Sequence, residues 1–549
     1  MQAITIAIGK AGIGFFAQQL VAKELVNLLS GLKPPDKTIS IGHINIIYSS
    51  ADNIVIKLTQ GKLLNFSPAF QSINQQSGGN FPLVMAAGNF SAQYNWEETY
   101  KYTFCYLVPS VGIMCDDPDN KDKTFTYIPD FSQLTVNVPL QFEYDSQNRR
   151  WSIVAGTSSG NAVSSHANIP SDSIIQQEDQ ECFSSHVSDA TSSAISAIDF
   201  SSSLNSLIAG NIASIPGSGD LGNGIVYDFS LGDSGLLFPD NDGIQMGVKG
   251  GAGYQGTPFS GDTPPSLPLP LPPSDTDTHH LNMYVSNYEV DALNWAYYEA
   301  GLLNLLIKPQ DLPDPQLLKV SSYVSYEPSL APYTAFVMYA QITQNSAPVT
   351  SFQTVYLFSK AVMNLLQTQL PANIYQLIQG IAGNAYLSQA DVENFLTEAT
   401  VPNQYFATIE NAAKTMAMAL TQDISYTLTI QNNGNPQPNI KFSVRRTDVL
   451  TNLGLGVSVN NTQTLQFGFA NADNAVKYES SSIPGFNGPI FETIVWVIAE
   501  GMYAQNLADL GKMGVPLPIM RDFQFDFENA QLSIQNGYVS ILANVNYKG

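Results

Sequence analysis

The sequence predicts an α+β fold in which one unit, two long helices against a long curved antiparallel sheet, occurs twice. Three observations predict it. A proline-rich stretch lies near the middle of the 549 residues. The order of helices and strands repeats on either side of it. The strand-like segments alternate apolar and polar residues over long distances. A chain of this length exceeds one ordinary core, so two domains are expected, residues 1–256 and 281–549, with a linker over 257–280.

Ala3 to Ile8 alternates like a strand. From Lys10 to Ser30 the apolar residues Ile13, Phe16, Leu20, Leu25 and Leu28 share one broad face, Gly31 follows, and Pro34-Pro35 forbid continuation, which predicts a helix. From Thr38 to about Val154 the period is two, as in Leu134-Thr135-Val136-Asn137-Val138, and this predicts an antiparallel meander. A second helix is predicted over Gln177 to Ile208, with Val187, Ala190, Ala194, Ala197 and Ile198 on one face. Strands return over Ile225 to Tyr254. Between Thr263 and Pro273 the prolines at 264, 265, 268, 270, 272 and 273 fix φ and remove donors, which predicts an extended, semi-rigid spacer.

The second half opens with a strand, Leu281 to Val285. Ser286-Asn287-Tyr288-Glu289 has the form of a capping box, and Val290, Leu293, Tyr297 and Ala300 then follow at helical spacing. Gly301 supplies the left-handed stop. Val355 to Gln422 reads as an inserted set of helices, including Ser359–Leu370, Ala372–Ile381 and Ala390–Leu396. A further long helix starts at Pro489, a favoured first position, and runs to Gly511. Strands over 523–527 and 538–547 close the chain.

Composition narrows the function classes. Charged residues make up 13% of the chain, about half the usual 25%. Net charge is −23 and the pI is about 4.4, so long-range attraction to nucleic-acid phosphates is excluded. No window reaches the length of a membrane span. Gly156-Thr157-Ser158-Ser159-Gly160 matches a nucleophile elbow by letters and keeps a serine esterase using Ser158 as the remotest alternative, because loop-like residues stand where the elbow needs a helix. Gly217 to Gly222 fits a dinucleotide fingerprint by letters but follows a proline, so a turn is expected. Asp116, Asp117, Asp119 and Asp122 form an acidic turn without EF-hand spacing, and the histidines at 43, 166, 186, 279 and 280 show no metal spacing. No metal or cofactor is expected. The three cysteines, 105, 115 and 182, are odd in number and leave at least one unpaired.

The segment Ser286-Asn287-Tyr288 … Tyr298-Glu299-Ala300-Gly301-Leu302-Leu303, and the turn Gly514-Val515-Pro516-Leu517-Pro518 with the strands after it, carry a resemblance. Both are similar to the family of bactericidal/permeability-increasing protein, lipopolysaccharide-binding protein and cholesteryl ester transfer protein. The resemblance implies two tandem tubular lipid-binding barrels in an elongated boomerang, non-enzymatic binding or transfer of phospholipid-like ligands, and transient contact with a membrane or lipid particle. It also implies a secreted or extracytoplasmic location, with Met1 standing in place of a removed signal, although a cytoplasmic protein could begin the same way. A disulfide from the first sheet to the second helix, Cys115 to Cys182, is implied as well, beside the alternative of three buried thiols. The helical insertion has no counterpart in the family pattern.

Such tubes bind lipid because a strongly twisted sheet leaves an elongated apolar gap beside helices with small residues. Filling it with hydrocarbon is worth about 0.8 kcal/mol per methylene. The expected lining is Ile13, Phe16, Leu20, Val187, Ala194 and Ile198 in the first half, and Leu293, Tyr297, Ile494, Ile498 and Met502 in the second. Ordinary core packing is the alternative at each of these positions, and a closed interaction module is the matching alternative for the whole protein. Asn95 to Tyr102 keeps a tryptophan but is acidic on balance, so neither endotoxin neutralisation nor bacterial killing is expected.

Overall fold

A computed structural model of the chain describes residues 2–22, 26–27, 31, 33–34, 36–46, 49–73, 76, 79–108, 112–145, 150–166, 168–175, 218–238, 243–260, 267–273, 279–382, 386–432, 437–457, 462–498, 504–519 and 523–548. The expected second helix, 177–208, lies outside these residues, and Cys182, Val187, Ala194 and Ile198 lie outside with it.

The first strand, Ile4–Ile8, sits in the middle of a sheet that draws on both halves of the sequence. It pairs antiparallel with Ile244–Val248 on one side and with Leu281–Ser286 on the other. Leu231–Leu237 continues the sheet beyond the first partner, and Tyr538–Ala543 and Gln531–Gln535 continue it beyond the second. Ile4, Thr5, Ile6 and Ala7 are all buried, so both faces of this strand are covered.

One cover is the proline-rich segment. Residues 267–273 lie along the sheet rather than free of it, which corrects the expectation of a spacer. Proline has no backbone N–H, so this segment presents carbonyl acceptors with few donors, and the sheet meets them with side-chain donors. Gln2 Nε2 donates to the Leu267 carbonyl (3.4 Å), Thr5 Oγ1 to Pro268 (3.2 Å) and Gln245 Nε2 to Pro270 (2.8 Å). The contact is close enough to demand glycine at position 9, where an added Cβ would stand 2.4 Å from the Pro273 carbonyl oxygen.

The first half builds its main sheet from long strands, including Ser49–Leu64 and Phe90–Val108. Ile54, Ile56, Leu58, Tyr94, Trp96, Leu83, Met85, Val136 and Val138 alternate onto one buried face. The strands curl because their register slips. Asn53 and Gln60, each with φ of 53°, sit at the two register shifts between Ser49–Leu64 and Phe90–Val108. An extra residue at such a point bends the strand and increases its twist.

The second half repeats the device. Lys414–Gln431, Asn439–Val457 and Gln463–Ser481 form the body of a sheet with three register shifts between the last two. Val337–Gln344 and Val349–Leu357 lie end to end along one edge of Lys414–Gln431. The architecture is therefore α+β, mostly sheet, with strongly curled sheets.

Helices depart from the expected pattern in two places among the described residues. Lys10–Phe16 is α-helical, but the following turn, Ala17–Ala22, widens to a π-helix. The insertion holds Lys360–Gln369, Ala372–Ile381, Gln389–Glu398 and Asn403–Ala413 around its own core of Leu366, Ile378, Val392, Leu396 and Ile409. Its helices end at Ala413, so the stretch Lys414 to Gln422 is strand rather than helix. The last predicted helix is described over Pro489–Ile498 and Ala504–Met513, and residues 499–503 between them lie outside the described residues.

The disulfide also differs. Cys115 bonds Cys105, not Cys182. The two are directly opposite across the hairpin of Phe90–Val108 and Gly112–Cys115, with Cα atoms 4.0 Å apart. Pairing across a hairpin brings sequence neighbours into bonding range without a long-range contact.

Candidate functional site

The helix Asn287–Glu299 is held by unusual ends. Ser286 stands at its N-cap in extended conformation, but its hydroxyl makes no capping bond. The hydroxyl oxygen is buried with no hydrogen-bond partner among the described residues. Glu289, the expected reciprocal partner, turns away and accepts from the Gly251 N–H instead. The capping box predicted from sequence is therefore not made. At the other end Gly301 has φ of +70°, Leu302 N–H donates to Tyr297 (3.0 Å) and Gly301 N–H to Tyr298 (2.9 Å), closing a Schellman motif.

Two carboxylates of this helix are withdrawn from solvent, Glu289 buried and Asp291 partly so. Burial pushes the Glu289 carboxyl up to about 8, against the favourable Gly251 bond, with the nearby Asp228 charge adding to the rise. Burial likewise raises Asp291 to about 6, although Thr350 donates to it from both its N–H (2.7 Å) and its hydroxyl (2.6 Å). An acid whose folded pKa is raised binds more protons folded than unfolded. Stability is then fully present below the unfolded value and lost as pH rises through the folded one. For Glu289 the loss runs between the ordinary 4.5 and about 8. The urea midpoint should fall across this window, and Glu289→Gln should flatten the slope; an unchanged slope would contradict the assignment.

The helix buries Val290, Ala292, Leu293, Ala296 and Tyr297. Ala292 and Ala296 are fully buried and let neighbouring backbone come close. Against it lie Ala252–Tyr254, Val349–Leu357 and Val515–Pro516, so the helix joins strands from both halves of the sequence. Two polar atoms on this face stand out. The Tyr297 hydroxyl and the Asn294 amide nitrogen, one turn apart, are buried without a hydrogen-bond partner among the described residues. Tyr297 is only 2% exposed, and burial pushes its hydroxyl pKa well up.

Of the residues expected from sequence, Ile13, Leu293 and Tyr297 are buried in one continuous apolar cluster, with Phe16 packed against it. Phe16 meets Phe523 edge-on at 4.7 Å. Ile494 packs against a separate cluster in the second half that includes Phe491 and Val495. Leu20 lies in the π-helical turn and Ile498 ends its helix, but their side chains are outside the described set, as is Met502 altogether.

Sequence reasoning missed two buried polar groups. Glu98 is fully buried on the inner face and accepts from Trp96 Nε1 (3.1 Å), Ser173 Oγ (2.6 Å) and the Ile174 N–H (2.9 Å), which ties residues 173–175 to the sheet. In the second half Arg446 and Asp448 form a buried ion pair, Nη2 to Oδ1 at 2.7 Å. Gln422 donates to Asp448 (3.0 Å) and accepts from Gln344 (2.8 Å). The signal was available, since period two places Trp96 with Glu98, and Arg446 with Asp448, on one face.

Other motifs resolve differently. Gly156–Ser158 connects two strands, Arg150–Ala155 and Ser159–His166, so the helix that a nucleophile elbow requires is replaced by strand. Ser218–Gly222 is a strand of a hairpin rather than a turn. Among the described residues no cluster of His, Cys, Asp or Glu is arranged to hold a metal, and no helix is long and apolar enough to cross a membrane.

No family model and no curated protein matches the chain. Among solved structures, the crystal structure of a lipopolysaccharide binding protein is similar at 14% identity, over 100% of this chain and 99% of that chain, with a TM-score of 0.47. P47 from Clostridium botulinum A2 is similar at 9% identity over 99% of this chain and 97% of that chain, with a TM-score of 0.22. P47 of Clostridium botulinum E1 gives 9%, 99% of each chain and 0.22.

Proposed function

We infer that the protein binds amphiphilic lipid in its apolar interior and carries or presents it without catalysis. The observation that carries this reading is the Tyr297 hydroxyl with the Asn294 amide, buried and unpartnered among the described residues beside the buried apolar residues Val290, Leu293 and Ala296 of the same helix. Buried polar groups in native proteins are nearly always hydrogen-bonded, and leaving one unmade costs about 1–3 kcal/mol. A ligand with a long apolar part and one hydrogen-bonding group, such as an ester of a phospholipid, offsets that cost while its tail packs against the apolar wall.

In this reading residues 1–256 and 281–549 are two tandem tubes of a boomerang joined by the linker 257–280, of which residues 267–273 lie along the shared sheet. The lining includes Phe16, Leu293, Tyr297 and Ile494. The ligand is neutral or zwitterionic, in keeping with the −23 net charge, and the setting is extracytoplasmic, where a disulfide such as Cys105–Cys115 persists.

Tyr297→Phe tests the reading. It should lower the lipid retained through purification by up to about tenfold, the worth of one neutral hydrogen bond. The stability of the delipidated protein should stay the same or rise by about 1 kcal/mol, because a buried hydroxyl left unsatisfied without ligand is removed. A variant that loses stability while keeping its lipid would show that the hydroxyl serves the fold alone.

A further inference from the structure

The strand Phe90–Val108 outruns the sheet that carries it. Its pairing with Ser49–Leu64 ends at Phe104, and its pairing with Asp119–Tyr127 ends at Tyr102. Beyond these points, among the described residues, Cys105 to Val108 pairs only with Gly112–Cys115, as a two-stranded ribbon. An isolated hairpin is marginal in water, and this one is stapled at its base by the Cys105–Cys115 disulfide.

The ribbon is apolar on both faces. Tyr106 lies opposite Met114, with Phe104 stacked beside Tyr106 at 6.3 Å, and these make one face. Leu107 lies opposite Ile113 on the other, and these two are 66% and 69% exposed. No charged residue occurs between Lys101 and Asp116. At Asp116 the sequence turns sharply acidic, and Asp116, Asp117 and Asp119 are all exposed. A partner protein covers one face of such a ribbon and leaves the other wet. A fluid apolar phase covers both.

We propose that this ribbon is a lipid-surface anchor, inserted into the outer part of a zwitterionic bilayer or monolayer. Four residues past the end of the sheet reach about 13 Å, enough for the depth of about 5–10 Å at which interfacial segments sit. The aspartates would then lie at headgroup level, where the outermost charge of phosphatidylcholine is its positive trimethylammonium. An anionic surface would repel them. The anchor stands apart from the interior site: it concerns docking on a surface, and the buried face around Tyr297 concerns what is held inside.

The test uses the full chain and phosphatidylcholine vesicles in a flotation assay, with the double variant Leu107→Asp/Ile113→Asp and the single variant Leu107→Trp. The wild type should float, and the double variant should lose about tenfold or more of its partitioning while keeping its folded spectrum and its extractable lipid. Leu107→Trp should float. The emission it adds to the wild-type spectrum should shift to the blue and be quenched by bromine-labelled acyl chains. Equal flotation of wild type and double variant, or added emission in Leu107→Trp that these chains leave unquenched, would overturn the proposal. So would preferential, salt-sensitive binding to phosphatidylglycerol vesicles. A wild type that stays off vesicles but is a dimer, dissociated by the double variant, would assign the ribbon to a second copy instead and equally overturn it.

Discussion

Asp448→Ala is expected to destabilise the protein by about 3–5 kcal/mol, the cost of leaving one member of a buried pair without its counter-charge. Arg446 and Asp448 are each 1% exposed in their side chains, and the guanidinium contacts Asp448 through both Nε and Nη2. Removing the carboxylate takes away that counter-charge and the acceptor of Gln422 together. The pair itself need not be a net source of stability, because desolvating two ions costs as much as their attraction returns. The double replacement Arg446→Met/Asp448→Leu should therefore be far milder than Asp448→Ala alone. Urea unfolding of the two variants checks this. Equal losses would show that the ion pair itself, rather than the orphaned arginine, carries the energy.

Trp96→Ala is the second large effect, again about 3–5 kcal/mol, as expected for deleting a fully buried large aromatic. Trp96 is 0% exposed and meets Tyr127 edge-on at 5.1 Å. Its indole N–H also donates to Glu98. Alanine both opens a cavity and removes one of the three donors to a buried carboxyl. Trp96→Phe separates the terms, since it keeps most of the volume and loses only the donor; it should cost clearly less than alanine. If phenylalanine costs as much as alanine, the hydrogen bond to Glu98 rather than packing dominates at this position.

Local chemistry made much of the fold legible. The alternation of Leu134 to Val138, the stop at Gly301 and the helix Ala372–Ile381 are decided by residues within a few positions of one another, and the structure has them where the sequence puts them. What could not be read is what depends on distant pairing. Nothing near Ile4–Ile8 says that Leu281–Ser286 will lie beside it. The docking of the proline strap follows from that pairing, because only the assembled sheet presents Gln2, Thr5 and Gln245 to its carbonyls. The capping box at Ser286 failed for a similar reason. Its letters are right, but Glu289 finds a better donor in Gly251, a residue brought in by tertiary structure. The cysteine pairing turned on a register that places Cys105 opposite Cys115, which a count of cysteines does not contain.

The candidate site was half legible. Leu293 and Tyr297 were visible from helical spacing, as positions on the buried stripe. That Tyr297 and Asn294 would both be left without partners among the described residues was not, because hydrogen-bond satisfaction depends on every neighbour in space. Buried polar residues in the curled sheets were readable in principle from their register, and this is how Glu98 and Asp448 would be found in another sequence of this kind.

Whether the interior holds lipid decides between a carrier and a closed fold. Native mass spectrometry of the purified full-length wild type tests this most directly, with organic extraction of the same sample. The predicted result is a set of species heavier than the bare chain by the masses of neutral or zwitterionic lipids. These species should collapse to the bare chain on extraction and be depleted in Tyr297→Phe. A single species at the mass of the bare chain, with nothing in the extract, would contradict it, and the apolar interior would then be a closed core.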